Sequence, residues 1–503
     1  MKINLCVLNK IIMNILLVYP QYPDTYWSFK HALKFISKKA SHIPLGLITV
    51  ASLLPESWNK KLTDLNVSML KDKDIMWADY VFISAMSVQL ASVKQVIERC
   101  KQFNTKIVAG GPLFTEEYDL FPEIDHLVLN EAEITLPLFI ADLQAGIAKR
   151  IYNTDKFADI TKSPLPDYSL IKSGKYATAG IQYSRGCPYD CEFCDITALF
   201  GRKVRTKTSS QIISELDQLL NIGWRGSVFF VDDNFIGHKN KLKNELLPAV
   251  ISWMGSNGNP FRFLTEASID LSDDRELMDL MVRAGFDKVF VGIETPEESC
   301  LMECNKLNNK NRNLMDCVSL IQKSGMEVQA GFIVGFDNDP PNIFQRQIEF
   351  IQKSGIITAM VGLLNAPRLS KLYRRLENQG RIVDIFSGDN TNYSMNFIPV
   401  MNKDELLKGY YKIIRSIYSC KAYYARVLLF LRNYNPPFSE PMTFSRFIAF
   451  IKSIIFIGIF TRNSRYFWKI LFWSIFNKPK TFPLAVTYSI YGYHFRKVFR
   501  NVL

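Results

Sequence analysis

Short apolar runs alternate with helix-period stretches from residue 14 to residue 385, and a chain so patterned folds as parallel strands with helices packed on their faces. The first runs, at 15–19, 61–66, 80–85, 106–110 and 126–130, are interleaved with helices expected near 44–54, 90–103 and 133–144. They read as a doubly wound parallel sheet over residues 13–150, which would bind a ligand outside the carboxyl ends of its strands. A turn-rich linker over 151–175, containing Ser163-Pro-Leu-Pro-Asp167, leads to a second set over 176–385. Its strands are expected at 178–183, 227–232, 262–267, 288–294, 327–335 and 358–364. Its helices are expected near 208–222, 239–254, 273–284, 308–324, 342–353 and 368–379. Over 386–503 the alternation stops and helical sequence rich in Tyr, Phe and Lys follows. The fold class is α/β with a mostly helical C-terminal region.

The 503 residues are 48% hydrophobic, enough for the cores of a multidomain protein. Nine cysteines are an odd number, and those at 6, 100, 300, 304, 317 and 420 show no framework spacing, so a reducing, cytoplasmic compartment fits. The net charge of +13 is concentrated: residues 401–503 carry 17 Lys and Arg against 3 Asp and Glu, and the preceding residues are nearly balanced. That stretch also holds 25 of the 65 aromatic residues, so its partner is expected to be anionic and partly apolar. Its most apolar run, 447–460, contains Lys452 and is shorter than the ~20 residues that span a bilayer. Peripheral contact with the inner membrane surface and simple packing on the second domain both suit it. Nucleic acid is disfavoured, because the apolar runs are too continuous to be exposed stacking platforms. At the other end, Met13 directly precedes the first strand, so residues 1–12 read either as chain without a cleavage site or as an extension upstream of the true start.

Within the second set, Tyr183-Ser-Arg-Gly-Cys187-Pro-Tyr-Asp-Cys191-Glu-Phe-Cys194-Asp195 carries CxxxCxxC. Three thiolates on one loop can hold three irons of a [4Fe–4S] cubane and leave the fourth open to a ligand. A structural zinc site would close with a fourth Cys or His, and after Cys194 the next candidates are His238 and Cys300. Unrelated thiols on a loop shaped by Gly186 and Pro188 are the remaining alternative. Polar residues gather at the strand ends of this domain: Asp232, Asp233 and Asn234, then Glu266 and Ser268, then Glu294, then Gly331-Phe-Ile-Val-Gly-Phe-Asp337. In the first domain the strand ends carry Tyr19-Pro-Gln-Tyr-Pro23, Asp64-Leu-Asn66, Ser84-Ala-Met-Ser87, Gly110-Gly-Pro112 and Asn130-Glu-Ala-Glu133. The paired glycines admit a closely approaching ligand, and a tight turn would also explain them.

The blocks Arg185-Gly-Cys-Pro-Tyr-Asp-Cys-Glu-Phe-Cys-Asp-Ile-Thr197, Phe229-Phe-Val-Asp-Asp-Asn-Phe-Ile-Gly237 and Val291-Gly-Ile-Glu-Thr-Pro296 resemble the B12-binding (cobalamin-dependent) radical S-adenosylmethionine (SAM) family, in the group that includes the hopanoid C-2 methylases. The likeness implies a cobalamin-binding domain over 13–150 and a partial (β/α)6 radical SAM barrel over 176–385. It makes Cys187, Cys191 and Cys194 the catalytic set and the ligands of a [4Fe–4S] cluster. It implies SAM contacts from Phe193, Asp232, Glu266, Ser268 and Glu294, and cobalamin contacts from Asn66, Ser84, Gly110, Gly111 and Glu131. Two places depart from the family pattern. Asp232-Asp233-Asn234 stands where a Gly-Gly-Glu motif is common, leaving the residue that holds the SAM amino group unassigned. Asp64-Leu-Asn66-Val-Ser-Met69 has Asn and Met at the His and Gly places of DxHxxG, so cobalamin is expected without a protein histidine on cobalt.

The activity this implies is methyl transfer to an unactivated carbon. Such a carbon has no lone pair with which to attack a sulfonium, so it must first lose hydrogen and then take methyl from a metal carrier. The expected partners are a small, lipid-like substrate and an electron donor such as flavodoxin or ferredoxin. Three alternatives accompany this reading. One is a cobalamin-dependent cyclase or rearrangement. Another is tRNA methylthiotransfer, which would call for further cluster cysteines where residues 1–150 hold only Cys6 and Cys100. The third is a non-enzymatic electron carrier or cobalamin binder.

Overall fold

The computed structural model describes residues 12–438, 442–461 and 463–503. Cys6 and nearly all of the stretch bearing on the translation start lie outside the described residues. The chain divides into two compact units, one made of the residues up to Pro23 with Pro44–Lys172, the other of Asp24–Ile43 with Ser173–Leu503. In chain order the first seven strands are β1 (Asn14–Tyr19), β2 (Ala40–His42), β3 (Asn59–Asp64), β4 (Tyr80–Ser84), β5 (Lys106–Gly110), β6 (His126–Val128) and β7 (Ile151–Tyr152).

All of these except β2 form the parallel sheet of the first unit, in the order β3-β1-β4-β5-β6-β7. Alternate residues supply its two cores. Leu16, Val18, Val81 and Ile83 pack with Val93, Val96 and Ile97 of helix Leu90–Gln102 on one face. Ile15, Leu17 and Phe82 pack with Leu47 and Phe139 on the other. Removal from water is worth about 1.5–3 kcal/mol for each such side chain. Because β1 lies between β3 and β4, the strand order reverses beside it, and the carboxyl ends of β1 and β4 flank the crevice that such a reversal opens. β7 lies in the stretch read as linker; its two residues, paired with Leu127 and Val128, are too few to register as a periodic run.

The remaining strands are β8 (Tyr176–Ile181), β9 (Ser184–Arg185), β10 (Arg205–Thr206), β11 (Gly226–Phe230), β12 (Phe261–Glu266), β13 (Phe286–Glu294), β14 (Glu327–Val334) and β15 (Ala359–Leu363). Six strand–helix units, β8 and β11 to β15, run in parallel order and curl into a half-barrel. β2 extends this sheet beyond β8, pairing Ala40 with Tyr176 and His42 with Thr178. The sequence reading kept residues 24–43 with the first domain, since three residues of strand carry no alternation to reveal that pairing.

Along β12 and β13 the less buried rank (Arg262, Leu264, Glu266; Lys288, Phe290, Gly292) alternates with a fully buried rank that faces the helices. Phe261, for instance, stacks on Trp253 of helix Leu247–Ser256. Trp27 meets Phe290 edge to face at 5.4 Å. The edge at β15 is covered by helix Lys403–Tyr418, whose Tyr410 and Tyr418 hydroxyls donate to the carbonyls of Val361 (3.2 Å) and Ala359 (2.7 Å). Helices Cys420–Asn433, Phe444–Ser453, Ser464–Asn477 and Phe482–Val498 complete the C-terminal region. Among the described residues no helix is long and apolar enough to cross a membrane.

Candidate active site

The three clustered cysteines sit on a loop that leaves β9 and returns through helix Ile196–Phe200 to β10, and the antiparallel β9/β10 pair ties its base. Gly186 starts the loop at φ +91°, with Asp233 accepting from its amide at 3.1 Å. A Cβ there would stand 2.7 Å from the Gly201 carbonyl oxygen and 3.0 Å from that of Phe200. Gly186→Ala therefore adds left-handed strain to a clash with backbone, together about 1–3 kcal/mol, all of it at the loop. The expected outcome is a folded protein that retains less than half the wild-type iron after reconstitution, read by iron and sulfide assay.

Asp232, expected to meet SAM, lies beneath this loop, where its carboxylate accepts from the Tyr183 amide and from the amide and hydroxyl of Ser184. Burial pushes it up to about 7, against those three donors. Asn234 links strand ends: its amide oxygen accepts from Ser268 N at 3.2 Å, and its amide nitrogen approaches Cys187 Sγ at 4.0 Å.

A second set of contacts grips the cysteine loop from outside. Glu192, between Cys191 and Cys194, donates its amide to the Cys304 carbonyl (2.8 Å), and its own carbonyl accepts from Leu372 N (2.8 Å). Arg375, on helix Lys371–Asn378, reaches the Glu192 carboxylate with two nitrogens at 2.6 and 2.9 Å and Asp337 with a third at 3.0 Å. Arg381 takes Asp337 through both oxygens, at 2.7 and 2.9 Å. Lys371 pairs with Asp190 of the loop, and Glu303 accepts from the Asp337 and Asn338 amides. Forked guanidinium–carboxylate pairs fix orientation as well as charge, so the loop is held by a rigid frame. Asp337 stood out in sequence only as a strand-end residue, and the cations of the frame did not stand out at all: Arg375 lies in a charged helix some 180 residues from Glu192.

Toward the loop's inner side stand Glu294 and Lys306, paired at 3.0 Å. Glu294 occupies the left-handed region at φ +63° beside an irregularity in the β13/β14 register. The backbone there is held by Asn309, which donates to the Gly292 and Ile293 carbonyls, and by Gln347, which donates to that of Glu294. A Cβ on Gly292 would fall 2.2 Å from the Glu294 carboxylate and 2.8 Å from Lys306 Nζ, so glycine makes the room for this pair. Lys306 Nζ also lies 5.9 Å from the centre of the Phe193 ring. Although burial disfavours its charge, Glu294, Cys191 and Cys194 hold the Lys306 ammonium above its ordinary value. Lys306 was missed in sequence, twelve residues past its partner with no motif around it. The carboxyl of Glu266, a ladder residue of β12, has no hydrogen-bonding partner among the described residues. Burial pushes it up to about 7, Asp233 and Asp232 add to that shift, and Lys306 opposes it.

The donor chemistry, three thiols on one loop, fits an iron–sulfur cluster. Cys187, Cys191 and Cys194 are free thiols on one clamped loop. Burial pushes all three thiols up, so ligation rather than surroundings would keep them as thiolates.

In the first unit the parallel sheet brings Asn66, Ser84, Gly110, Gly111 and Glu131 to one edge, at the carboxyl ends of β3 to β6. Asn66 is fully engaged there: its side chain accepts from Tyr22 N at 2.9 Å and donates to Asp64 and to the Pro20 carbonyl. Glu131 is buried, with Ala158 N donating to its carboxylate at 2.6 Å. Gly111, at φ +92°, is required by the turn, since a Cβ would lie 2.7 Å from Ser84 Oγ. Tyr22 and Met86 meet at 3.4 Å beside the β1/β4 crevice. His126 is the unit's histidine, and it opens β6 at the opposite end of the strands.

Three family models match successive parts of the chain: a B12 binding domain over 35–140, the radical SAM superfamily over 181–351, and a domain of unknown function (DUF4070) over 370–503. The last begins at the helix that grips the cysteine loop. An uncharacterized methyltransferase of Synechocystis sp. is 38% identical over 96% of this chain and 91% of its own length. The hopanoid C-2 methylase of Rhodopseudomonas palustris is 35% identical over 76% and 73%. Two solved structures share the fold at low identity. The cobalamin-dependent SAM radical enzyme OxsB, with aqua-cobalamin bound, aligns at TM-score 0.63, 12% identity, covering 98% of this chain and 80% of its own. The radical SAM methyltransferase TsrM from Kitasatospora setae, with cobalamin and a [4Fe–4S] cluster bound, aligns at 0.57, 14% identity, covering 75% and 80%. On its layout and these relatives, the chain belongs to the cobalamin-dependent (B12-binding) radical SAM family of enzymes, among methyltransferase homologues.

Proposed function

We propose that this enzyme transfers methyl to an unactivated carbon of a small, lipid-like substrate, using a [4Fe–4S] cluster, SAM and cobalamin. The observation that carries the reading is the three-thiol loop, clamped from outside and bordered inside by the unpartnered carboxyl of Glu266. Cys187, Cys191 and Cys194 would hold the cluster, which when bound supplies the electron that breaks SAM, while cobalamin serves as methyl carrier. Around them the chain's own groups prepare for a cationic ligand. Glu266 and Asp233, both raised by burial, favour an arriving ammonium, and Lys306 offsets negative charge on the thiolates. Ser268 and Asn234 tie the ends of β11 and β12 together beneath them. Trp27, Leu264 and Phe290 contribute an apolar, aromatic patch, which would suit a hydrocarbon skeleton, to a rank that also carries Arg262 and Lys288.

Ser84, Gly110 and Gly111 form the proposed cobalamin edge, with Asn66 and Glu131 shaping its loops, and no histidine reaches the cobalt. We place the enzyme in the cytoplasm, reduced by a flavodoxin or ferredoxin and attached peripherally to the inner membrane surface by its C-terminal helices.

The test is anaerobic reconstitution with iron and sulfide, with and without cobalamin, followed by SAM and a low-potential reductant. 5′-Deoxyadenosine is expected in both preparations, and S-adenosylhomocysteine only where cobalamin is present. Deoxyadenosine without cobalamin-dependent S-adenosylhomocysteine would favour a cyclase or rearrangement and overturn methyl transfer.

A further inference from the structure

The C-terminal region turns an apolar stripe outward. Helix Phe444–Ser453 continues through a widened turn, Ile454–Ile459, and along it Phe444, Phe447, Ile451, Ile455 and Ile459 recur at steps of three and four, so they share one exposed face. Phe460, at the tip, is 76% exposed, and Phe444, at the start, 80%. The opposite face is occupied within its own unit, where Lys452 Nζ donates to the Lys34 carbonyl and Phe450 meets Phe482 edge to face.

On the following helix, Ser464–Asn477, the exposed positions Arg465, Lys469, Phe472 and Phe476 also lie on one face, cationic in the first half and aromatic in the second. Phe476 is 80% exposed. The two helices meet near the tip, where Trp468 Nε1 donates to the Gly458 carbonyl at 3.1 Å.

Charge selects the occupant of these faces. Glu440 is the last acidic residue of the chain, and residues 441–503 carry ten Lys and Arg. A second copy would bring the same cations against their like. An anionic lipid surface answers both the apolar stripe and the unbalanced charge, and at 16 residues the first helix with its turn is suited to lie in the interface rather than to span. We propose that the exposed faces of Phe444–Ile459 and Ser464–Asn477 dock on an anionic bilayer, with Phe444, Phe460 and Phe476 entering the headgroup boundary and Arg465 and Lys469 facing the phosphates. This rests on the peripheral attachment proposed above and assigns it a face and a lipid charge.

The test is flotation of the reconstituted enzyme with vesicles of phosphatidylcholine containing phosphatidylglycerol, against phosphatidylcholine alone. Binding is expected to the anionic vesicles and to fall steeply with salt. Phe444→Ser/Phe460→Ser/Phe476→Ser is expected to weaken it roughly tenfold or more, and Arg465→Gln/Lys469→Gln roughly twenty-five-fold, at about fivefold per cation. Leu138→Ser, at an exposed apolar position in the other unit, serves as control and is expected to bind as wild type. These positions are exposed, so circular dichroism and thermal midpoints should match wild type. Anionic binding unchanged in the triple serine variant would overturn the assigned face while leaving peripheral attachment standing. No vesicle binding at all would overturn both. A concentration-dependent dimer in sedimentation, abolished by the triple variant, would identify a second copy as the occupant and overturn the proposal.

Discussion

Cys191→Ala is expected to abolish 5′-deoxyadenosine formation, a loss of at least ~10³-fold, and to strip most iron from the reconstituted protein. Two remaining thiolates on one loop cannot retain a cubane that three were shaped to hold. The loss should be chemical rather than structural, because the loop's anchors do not involve the thiol. The Glu192 amide still reaches the Cys304 carbonyl, and the Glu192 carboxylate still meets Arg375. Deletion of one small buried side chain should cost the apoprotein only about 1 kcal/mol. Cys304→Ala is the informative companion. Cys304 is free and buried, its thiol pushed up by burial first and then by Glu294 and the nearby Cys191. It lies outside the CxxxCxxC spacing and should keep both iron and SAM cleavage. If Cys304→Ala also lost the cluster, the fourth iron would have a protein ligand and the open site would be gone.

Arg375→Leu is expected to lower the thermal midpoint and the retained iron together. Among the described residues Arg375 is the cation that bridges Glu192 and Asp337, and its removal leaves the poorly solvated Glu192 carboxylate without its guanidinium, beside Glu303, while Asp337 keeps Arg381. A fully buried pair broken in this way costs about 3–5 kcal/mol. Arg375 is 30% exposed, so screening reduces the expected cost to about 1–3 kcal/mol. Arg375→Lys should recover part of the midpoint but less of the iron, since an ammonium cannot take both Glu192 oxygens and Asp337 from one planar fork. Differential scanning calorimetry alongside iron assay separates the two. A variant with normal iron and a lowered midpoint would show that the frame stabilises the barrel without positioning the loop.

The parts of the molecule written in local periodicity were legible from its residues. Each run read as a strand is one to within two residues, because strands in the middle of a parallel sheet are rich in apolar residues and the helices covering them are amphipathic. What escaped was short or distant. β2 and β7 are three and two residues long, and β2 joins a sheet whose other strands begin more than 130 residues later. At the site, the cysteines announced themselves by spacing and Glu266 by position at a strand end. Lys306, Arg375 and Arg381 are ordinary cations until the fold brings their carboxylates to them. Residues chosen by strand-end position alone divided by partner. Asp232 proved to hold the loop's backbone, Glu294 proved to be paired with Lys306, and Glu266 retains a carboxyl that nothing in the described chain engages.

The most direct measurement is electron paramagnetic resonance of the reduced, anaerobically reconstituted enzyme before and after SAM is added, with methionine labelled at its amino nitrogen and carboxylate. The account requires the signal of a four-iron cluster that changes on addition of SAM and shows coupling to the labelled atoms. Zinc in place of iron, or a cluster signal indifferent to SAM, would contradict it.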